Sequence, residues 1–221
     1  MLKPVLSFLE VLQHNNNREW FHANKKQYDE AKAIFESFVN AIIPEIAKTD
    51  ETIRYAEAKD CIFRIFRDVR FGKDKSPYKT NMGAWITRAG RKSSGPGYYL
   101  HVQPGESFLS GGVYMPEPDQ LKKIRQEIYF NAAEFKGIME AKSFRKYFNG
   151  LSDMDKQKSA PRDFPKDFPD IDLLKYKHYT LYHPLSEDLL DSKKLLEYIG
   201  KVFQQMLPFN EFLRRAMRVS W

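Results

Sequence analysis

The residues best suited to chemistry in this sequence are the arginines and lysines between positions 64 and 79. Arg64, Asp68 and Arg70 fall at even spacing, so in a β-strand they project from one face, with neighbouring positions on that face about 7 Å apart. Guanidinium groups arranged in this way can hold one multi-oxygen anion through paired hydrogen bonds. The pattern predicts a site for a phosphate, a nucleotide or a carboxylate.

The segment from Gly72 to Lys79 is predicted to be a loop that folds over this strand and adds further donors. Asp68 is a weak candidate for a general base, and we expect it mainly to pair with an arginine. Arg67 falls on the apolar face of the strand, which predicts either a bulge or a partly buried guanidinium. The predicted ligand-binding residues of the strand and loop are Arg64, Arg67, Arg70, Lys75, Ser76, Tyr78 and Lys79.

A second candidate motif is the run of three asparagines that precedes Arg18. Asn17 is a good N-cap for a long helix that Pro44 should kink or end. The backbone amides of a helix N-terminus attract anions, and Trp20 in the first turn can stack on a ring. Asn16 and Trp20 therefore join the predicted ligand-binding residues. The alternative interpretation is a helix cap followed by a core tryptophan.

The net charge of the chain is +7, and residues 61–92, with nine basic and two acidic residues, carry all of it. A local positive field attracts anions, so we expect a small phosphate-containing or nucleotide-like ligand. Nucleic-acid binding is an alternative, because aromatic residues are interleaved with the basic ones. These aromatic residues are Phe63, Phe66, Phe71, Tyr78 and Trp85. In a third interpretation the chain is a structural or interaction module whose charges pair internally.

The sequence gives no signal for a metal or a cofactor. None of the five histidines shows the helical spacing of a zinc protease, and the glycines match neither a P-loop nor a dinucleotide motif. His101 and His183 lie in predicted strands, where each is either an acid–base residue or a structural one. The single cysteine favours a reducing compartment, so we predict a cytoplasmic protein, and the lack of a long apolar run predicts no membrane insertion.

The order of the predicted elements favours an α+β fold, in which a mainly antiparallel sheet is flanked by N-terminal and C-terminal helices. The clearest hairpin turns at Pro104-Gly105, and Gly111-Gly112 in its second strand suggests a bulge or a close backbone approach. Pro208 is expected to break the last long helix, and Asn210 to cap a short terminal one. Predicted strands cover Ile62–Phe71, Met82–Thr87, Tyr98–Val102, Ser107–Met115 and Lys175–His183.

Several of these segments together resemble one protein family, domain of unknown function 2461. The resemblance spans nearly the whole chain and implies a single domain over residues 1–221. It carries over neither an activity nor catalytic residues. The motifs that carry it are residues 15–21, Arg64–Phe71, Asp74–Thr80, Gly97-Tyr98-Tyr99 and Gly111–Pro116.

Overall fold

Apolar residues at helical spacing build the N-terminal part of the protein. A computed structural model of the chain describes residues 1–70 and 73–218. Helix α1 covers Lys3–His14, α2 covers Arg18–Ala23 and α3 covers Lys25–Ala47. The stripe of α3 that contains Phe35, Val39 and Ile42 is fully buried, so this long helix packs along the core.

Four strands form one antiparallel sheet whose order follows the chain. They are β1 (Met82–Ile86), β2 (Gly97–Val102), β3 (Phe108–Val113) and β4 (Tyr179–Pro184). The turn between β2 and β3 contains Gly105 at a φ of +74°, a conformation that glycine adopts without steric cost. The four regular strands therefore lie where the period-two patterns predict them, with ends that differ by up to four residues.

The remaining helices surround this sheet on its buried side. Helix α9 (Leu195–Met217) packs across β3 and against α3 and α5 (Pro118–Phe130), and it covers the inner face of the sheet. The predicted α+β fold with a single domain is confirmed, and within the described residues no helix combines the length and apolar character needed to cross a bilayer. The further helices are α4 (Ala58–Cys61), α5 (Pro118–Phe130), α6 (Ala132–Glu140), α7 (Lys142–Arg145), α8 (Glu187–Asp191) and α9 (Leu195–Met217).

Gly111 and Gly112 of β3 allow the inner layers to approach closely. A Cβ atom on Gly111 would lie 2.5 Å from the sulfur of Met206 in α9, and one on Gly112 would lie 2.0 Å from the Tyr179 carbonyl oxygen. Gly112 also has a φ of +105°. The predicted close backbone approach is confirmed, and it brings α9 and β4 against β3.

Irregular chain pairs with both outer strands of the sheet. On the β1 side, the Phe63 N–H donates to the Gly83 carbonyl oxygen at 3.0 Å. On the β4 side, the Ser152 N–H donates to the Thr180 carbonyl oxygen at 2.8 Å. Each outer strand is thus partly covered by a segment that is not itself a strand.

The prediction of a regular strand over Ile62–Phe71 is wrong for the part that the structure describes, and Phe71 lies outside the described residues. The segment is extended, but it makes only isolated bridges, at Ile62–Ala84 and at Phe66–Tyr78. These bridges are four residues apart on one side and six apart on the other. Two residues therefore bulge out between Tyr78 and Ala84, and the interrupted ladder cannot continue as a strand.

Two helix predictions are also wrong. The predicted second helix divides at Asn24, whose side-chain amide donates to the Trp20 carbonyl oxygen at 2.9 Å and so competes with the helical backbone bonds. The C-terminal helix does not break at Pro208 but runs through it to Met217. Asn210 is fully buried there and donates to the Gly97 carbonyl oxygen at 3.1 Å, so packing against the sheet outweighs the cost of the proline.

Candidate functional site

Two sequence motifs that lie far apart in the chain meet at Asn16 and Tyr78. Asn16 Nδ2 donates to the Tyr78 carbonyl oxygen at 2.9 Å, and the Tyr78 N–H donates to Asn16 Oδ1 at 3.1 Å. The Tyr78 ring is buried and stacks on Phe21 of α2, with ring centroids 3.9 Å apart and an interplanar angle of 14°. The asparagine run and the basic loop are therefore parts of one surface.

This junction borders a cleft of about 370 Å³, which we call the α2 cleft. Four of its lining side chains are arginine, lysine or histidine, namely Arg18, His22, Lys25 and Arg67, and none of the described lining residues is acidic. The remaining lining residues are Phe21, Phe66, Val69, Pro77 and Tyr78. The α2 cleft therefore combines cationic groups with an aromatic wall.

Arg67 is held in place by its own loop. Its guanidinium donates to Ser76 Oγ at 2.8 Å and forms an ion pair with Asp74. Hydrogen bonds from the Ser76 backbone and hydroxyl, together with Arg67, lower the pKa of Asp74 to about 2, so this carboxylate stays ionised. About a third of the Arg67 side chain is exposed, which matches the predicted partly buried guanidinium.

The other cationic groups of the α2 cleft differ in how they are paired. Lys25 forms an ion pair with Asp29 one helical turn away and lies over the Tyr28 ring, 5.0 Å from its centroid. The side chains of Arg18 and His22 make no hydrogen bond or ion pair with any residue that the structure describes. An anion in the cleft therefore finds donors that are not already used.

Asp68 and Arg70, predicted on one strand face, pair with each other. Arg70 Nε and Nη2 donate to the two Asp68 carboxylate oxygens at 2.9 and 2.7 Å, and these bonds lower the pKa of Asp68. Lys75 Nζ donates to the Val69 carbonyl oxygen at 2.9 Å, which closes the loop. The structure thus places these three predicted residues in local contacts at the tip of the loop, and none of them lines the α2 cleft.

Arg64, Lys79 and Trp20 also lie away from the α2 cleft. Lys79 Nζ lies over the Phe63 ring, 5.5 Å from its centroid, and burial together with the nearby charge of Arg64 lowers the Lys79 pKa. Arg64 is exposed and makes no hydrogen bond or ion pair within the described ranges. Trp20 packs beside Phe8 at the edge of the core, with ring centroids 6.2 Å apart.

The outer face of the sheet carries a group of partly exposed aromatic rings. Register places Trp85, Tyr99, Ser110 and Tyr182 side by side across the four strands, with His101 opposite Phe108 in the next row. The Phe108 ring stacks on His101 at 4.5 Å and lies 5.0 Å from the Tyr182 ring. Half of the Tyr182 side chain is exposed, so these rings form a partly open aromatic surface.

His101 lies within a short hydrogen-bonded chain on this aromatic surface. Its Nε2 lies 3.0 Å from Gln103 Oε1, and its Nδ1 lies 3.1 Å from the Tyr99 hydroxyl. Because Gln103 Oε1 only accepts, Nε2 carries the proton and Nδ1 accepts from Tyr99. Burial lowers the pKa of His101 and raises that of Tyr99 to about 12, so both groups are neutral near pH 7.

The second strand histidine, His183, has a structural role. His183 Nδ1 lies 2.9 Å from the Tyr147 carbonyl oxygen and its Nε2 lies 2.8 Å from the Tyr198 hydroxyl, so both ring nitrogens have partners. Among residues 1–70 and 73–218, no three His, Cys, Asp or Glu side chains gather as a metal site would require.

Sequence reasoning missed Arg18, His22 and Lys25 as site residues. Arg18, His22 and Lys25 follow at spacings of four and three, so a helical reading places them on one side of the turns after Asn17. This spacing could have identified the three residues as one group. The contact between Asn16 and Tyr78 is needed to show that this group faces Arg67. The aromatic outer face had a signal as well, since Tyr99 and His101 alternate with Tyr98 and Leu100 along β2.

The fold and the α2 cleft define a single-domain α+β protein with a basic, aromatic-lined cleft beside a four-stranded sheet. A family model described as "Conserved hypothetical protein (DUF2461)" matches residues 4–212. The chain belongs to this family, as the resemblance of its motifs implied. No curated protein and no solved structure matches the chain.

Proposed function

We propose that the α2 cleft binds a small phosphorylated or nucleotide-like anion. The observation that carries this proposal is the convergence of Arg18, His22, Lys25 and Arg67 on one cleft whose described lining contains no acidic side chain. A phosphate group accepts several charge-assisted hydrogen bonds at once, and guanidinium groups match its geometry. The volume of about 370 Å³ is within the range of small-molecule sites.

The aromatic wall of the α2 cleft supports a ligand with a flat ring beside its phosphate. Phe66 is half exposed, and its ring centroid lies 5.5 Å from that of Tyr78 and 6.1 Å from that of Phe21. A base or sugar ring can pack against Phe66 while Arg18 and Arg67 hold the phosphate. The proposal concerns binding, and it also includes catalysis on such an anion.

The test uses Arg18→Ala, because the Arg18 side chain makes no hydrogen bond or ion pair within the described structure. Adenosine monophosphate is titrated into the wild-type protein and the variant while backbone amide resonances are followed by NMR. We expect shifts at residues 18–25 and 66–78 in the wild type, and affinity about tenfold lower in the variant. Lys26→Ala removes the same charge one residue beyond Lys25 and outside the cleft, so it should bind like the wild type.

The proposal fails if adenosine monophosphate leaves residues 18–25 and 66–78 unperturbed. It also fails if Lys26→Ala weakens binding as much as Arg18→Ala does, because that result would indicate a general charge effect. Arg67→Ala is a poorer probe, since it also removes the partner of Asp74 and Ser76.

Nucleic-acid binding is a second candidate function, favoured by the aromatic outer face of the sheet. Single-stranded nucleic acid binds where bases stack on aromatic rings beside cationic groups. Phe63 joins the surface edge-on to Tyr99, with centroids 6.3 Å apart, and Arg64 and Lys79 adjoin Phe63. The aromatic rings therefore have the Lys79 ammonium group beside them at Phe63, and Arg64 lies close enough to Lys79 for its charge to lower the Lys79 pKa.

The second candidate is tested with a fluorescently labelled single-stranded oligonucleotide and anisotropy measurements. We expect affinity that falls steeply with salt and that drops several-fold in Tyr182→Ala. Tyr55→Ala removes an exposed aromatic ring that is not part of the sheet, so it should leave the affinity unchanged. Absence of binding at low salt would reject this function without affecting the proposal for the α2 cleft.

A cytoplasmic location is part of the proposed function. It is supported by the only cysteine, Cys61, which is a buried thiol whose pKa burial raises to about 11. Such a thiol is protonated and unreactive at neutral pH, as expected of a structural cysteine in a reducing compartment.

A further inference from the structure

A second cleft lies between α5 and the irregular chain that follows α7. Its volume is about 810 Å³, and we call it the α5 cleft. It shares no lining residue with the α2 cleft. Six basic and two acidic side chains line it, namely Lys122, Arg125, Lys156, Lys158, Arg162 and Lys177 against Asp119 and Asp163.

Arg125 is the unusual member of this group because it is buried. Only 8% of the residue is exposed, and its Nη2 donates to the Tyr176 carbonyl oxygen at 3.1 Å. Its Nε is buried with no hydrogen-bond partner, and within the described residues no carboxylate pairs with the guanidinium. A buried cation without a counter-charge is costly, so this residue indicates a place where an anion would be stabilised.

Local carboxylates neutralise only part of the surrounding charge. Lys122 pairs with Asp163 at 3.2 Å and Lys177 pairs with Asp155 at 2.8 Å. Lys156 instead lies over the Tyr176 ring, 4.4 Å from its centroid. Lys158 and Arg162 are exposed and make no hydrogen bond or ion pair with the part of the chain that the structure describes.

Hydrogen bonds and packing hold in place the irregular chain that forms one wall of the α5 cleft. The Gln157 N–H donates to the Lys175 carbonyl oxygen at 2.8 Å, and Lys156 forms a bridge with Tyr176. Phe164 is buried and packs against Tyr129 of α5, with ring centroids 5.6 Å apart. The cationic groups of the two walls are therefore held facing one cleft.

We propose that the α5 cleft binds a small molecule that carries two or more phosphate groups. One phosphate group carries at most about two charges near neutral pH, whereas Arg125, Lys156, Lys158 and Arg162 of this cleft of about 810 Å³ have no carboxylate partner within the described residues. A chain of phosphates can place one group at Arg125 and another near Lys158 and Arg162. The burial of Arg125 favours a slender ligand that enters the cleft over a nucleic-acid backbone lying across the surface.

The test titrates inorganic triphosphate and, separately, orthophosphate into the full-length protein by calorimetry and by amide NMR. We expect triphosphate to bind at least about tenfold more tightly and to shift resonances at residues 156–164 and in α5. The double variant Lys158→Ala/Arg162→Ala should weaken triphosphate binding at least about tenfold. Its control is Lys123→Ala/Lys166→Ala, which removes one charge from α5 and one from the irregular chain at positions that do not line the cleft, and it should change affinity less than about twofold.

Arg125→Lys tests the buried group itself, because it keeps the charge but loses the forked donors. We expect weaker triphosphate binding with a thermal unfolding midpoint close to that of the wild type. Equal losses in the two double variants would overturn the proposal, as would equal affinities for triphosphate and orthophosphate. Binding at the α5 cleft is read from the resonances of residues 156–164 and α5, and binding at the α2 cleft from residues 18–25 and 66–78, so failure at one cleft is distinguishable from failure at the other.

Discussion

The side chain of Asn16 forms two hydrogen bonds with the backbone of Tyr78, so it occupies the place that a neighbouring strand would take. This pairing fixes the turn after α1 to the loop that carries Arg67. The stacking of Tyr78 on Phe21 adds an apolar contact between the same two segments. The shape of the α2 cleft therefore depends on one asparagine as much as on the charged residues that line it.

Replacement of Asn16 should destabilise the protein and open the α2 cleft. Asn16→Ala leaves the backbone N–H and carbonyl of Tyr78 without these partners, which should lower the free energy of unfolding by about 1–3 kcal/mol in urea titrations. Asn15→Ala is the control, because the Asn15 side chain donates to the Val11 carbonyl oxygen of the adjacent α1 and makes no other hydrogen bond within the described residues. Equal effects of the two substitutions would show that the contact with Tyr78 has no special importance.

Breaking the ion pair between Asp50 and Arg214 from one side should strongly destabilise the folded protein. Asp50 is 3% exposed, it pairs with Arg214, and it accepts a hydrogen bond from the Tyr98 hydroxyl at 2.8 Å. Asp50→Ala leaves the guanidinium buried without a counter-charge, so we expect a loss of about 3–5 kcal/mol in chemical denaturation.

The double variant Asp50→Ala/Arg214→Met should lose less stability than Asp50→Ala alone, because it also removes the stranded charge. The exposed pair of Glu197 and Lys201 supplies the control, since Glu197→Ala should change stability by less than about 1 kcal/mol. A loss of similar size in Asp50→Ala and Glu197→Ala would contradict the argument from burial.

Gly112 and Gly105 allow steric clash to be separated from backbone strain. Gly112→Ala combines a positive φ with a Cβ position 2.0 Å from the Tyr179 carbonyl oxygen, so it should cost at least about 3 kcal/mol or prevent folding. Gly105→Ala also has a positive φ but meets no atom within 4 Å, so it should cost only about 1–2 kcal/mol. Thermal and urea unfolding of both variants measures the difference, and equal costs would exclude the clash.

The half-buried His101 should make stability fall as the pH is lowered. Its pKa is lower in the folded protein than in the unfolded chain, so below about pH 6.5 the unfolded chain binds a proton that the folded protein does not. The wild type should therefore lose stability between pH 7 and pH 5 more steeply than His101→Gln. Tyr99, Phe108, Gln103 and the side-chain amide of Asn81 face His101, with Glu106 nearby. Parallel pH profiles of the two proteins would contradict the prediction.

The sequence was sufficient to predict the four regular strands, because alternation in Gly97–Val102 and turn chemistry at Gly105 are local properties. It was not sufficient for the segment after Cys61, where the two-residue bulge opposite Tyr78 depends on the partner segment. Pro208 was misread for a similar reason, since the burial of Asn210 against Gly97 is a tertiary effect that outweighs a local preference.

The candidate site was predictable in part. Tyr78 and Arg67 were expected near an anion and do line the α2 cleft, while Arg70 and Asp68 pair with each other at the end of the loop. Alternation along a strand gave no information about which cations Asp74 and Asp68 would neutralise. The contribution of Arg18 and His22 depends on a contact between residues 62 positions apart, which local patterns do not contain.

The pairing of irregular chain with both outer strands has a consequence for how copies of the protein meet. A sheet with open edges offers its backbone donors and acceptors to a neighbouring molecule, and edge-to-edge association then leads to aggregates. Here Phe63 occupies part of one edge and Ser152 part of the other. The aromatic face can thus stay open to solvent in a sheet whose margins resist the addition of a fifth strand from another chain.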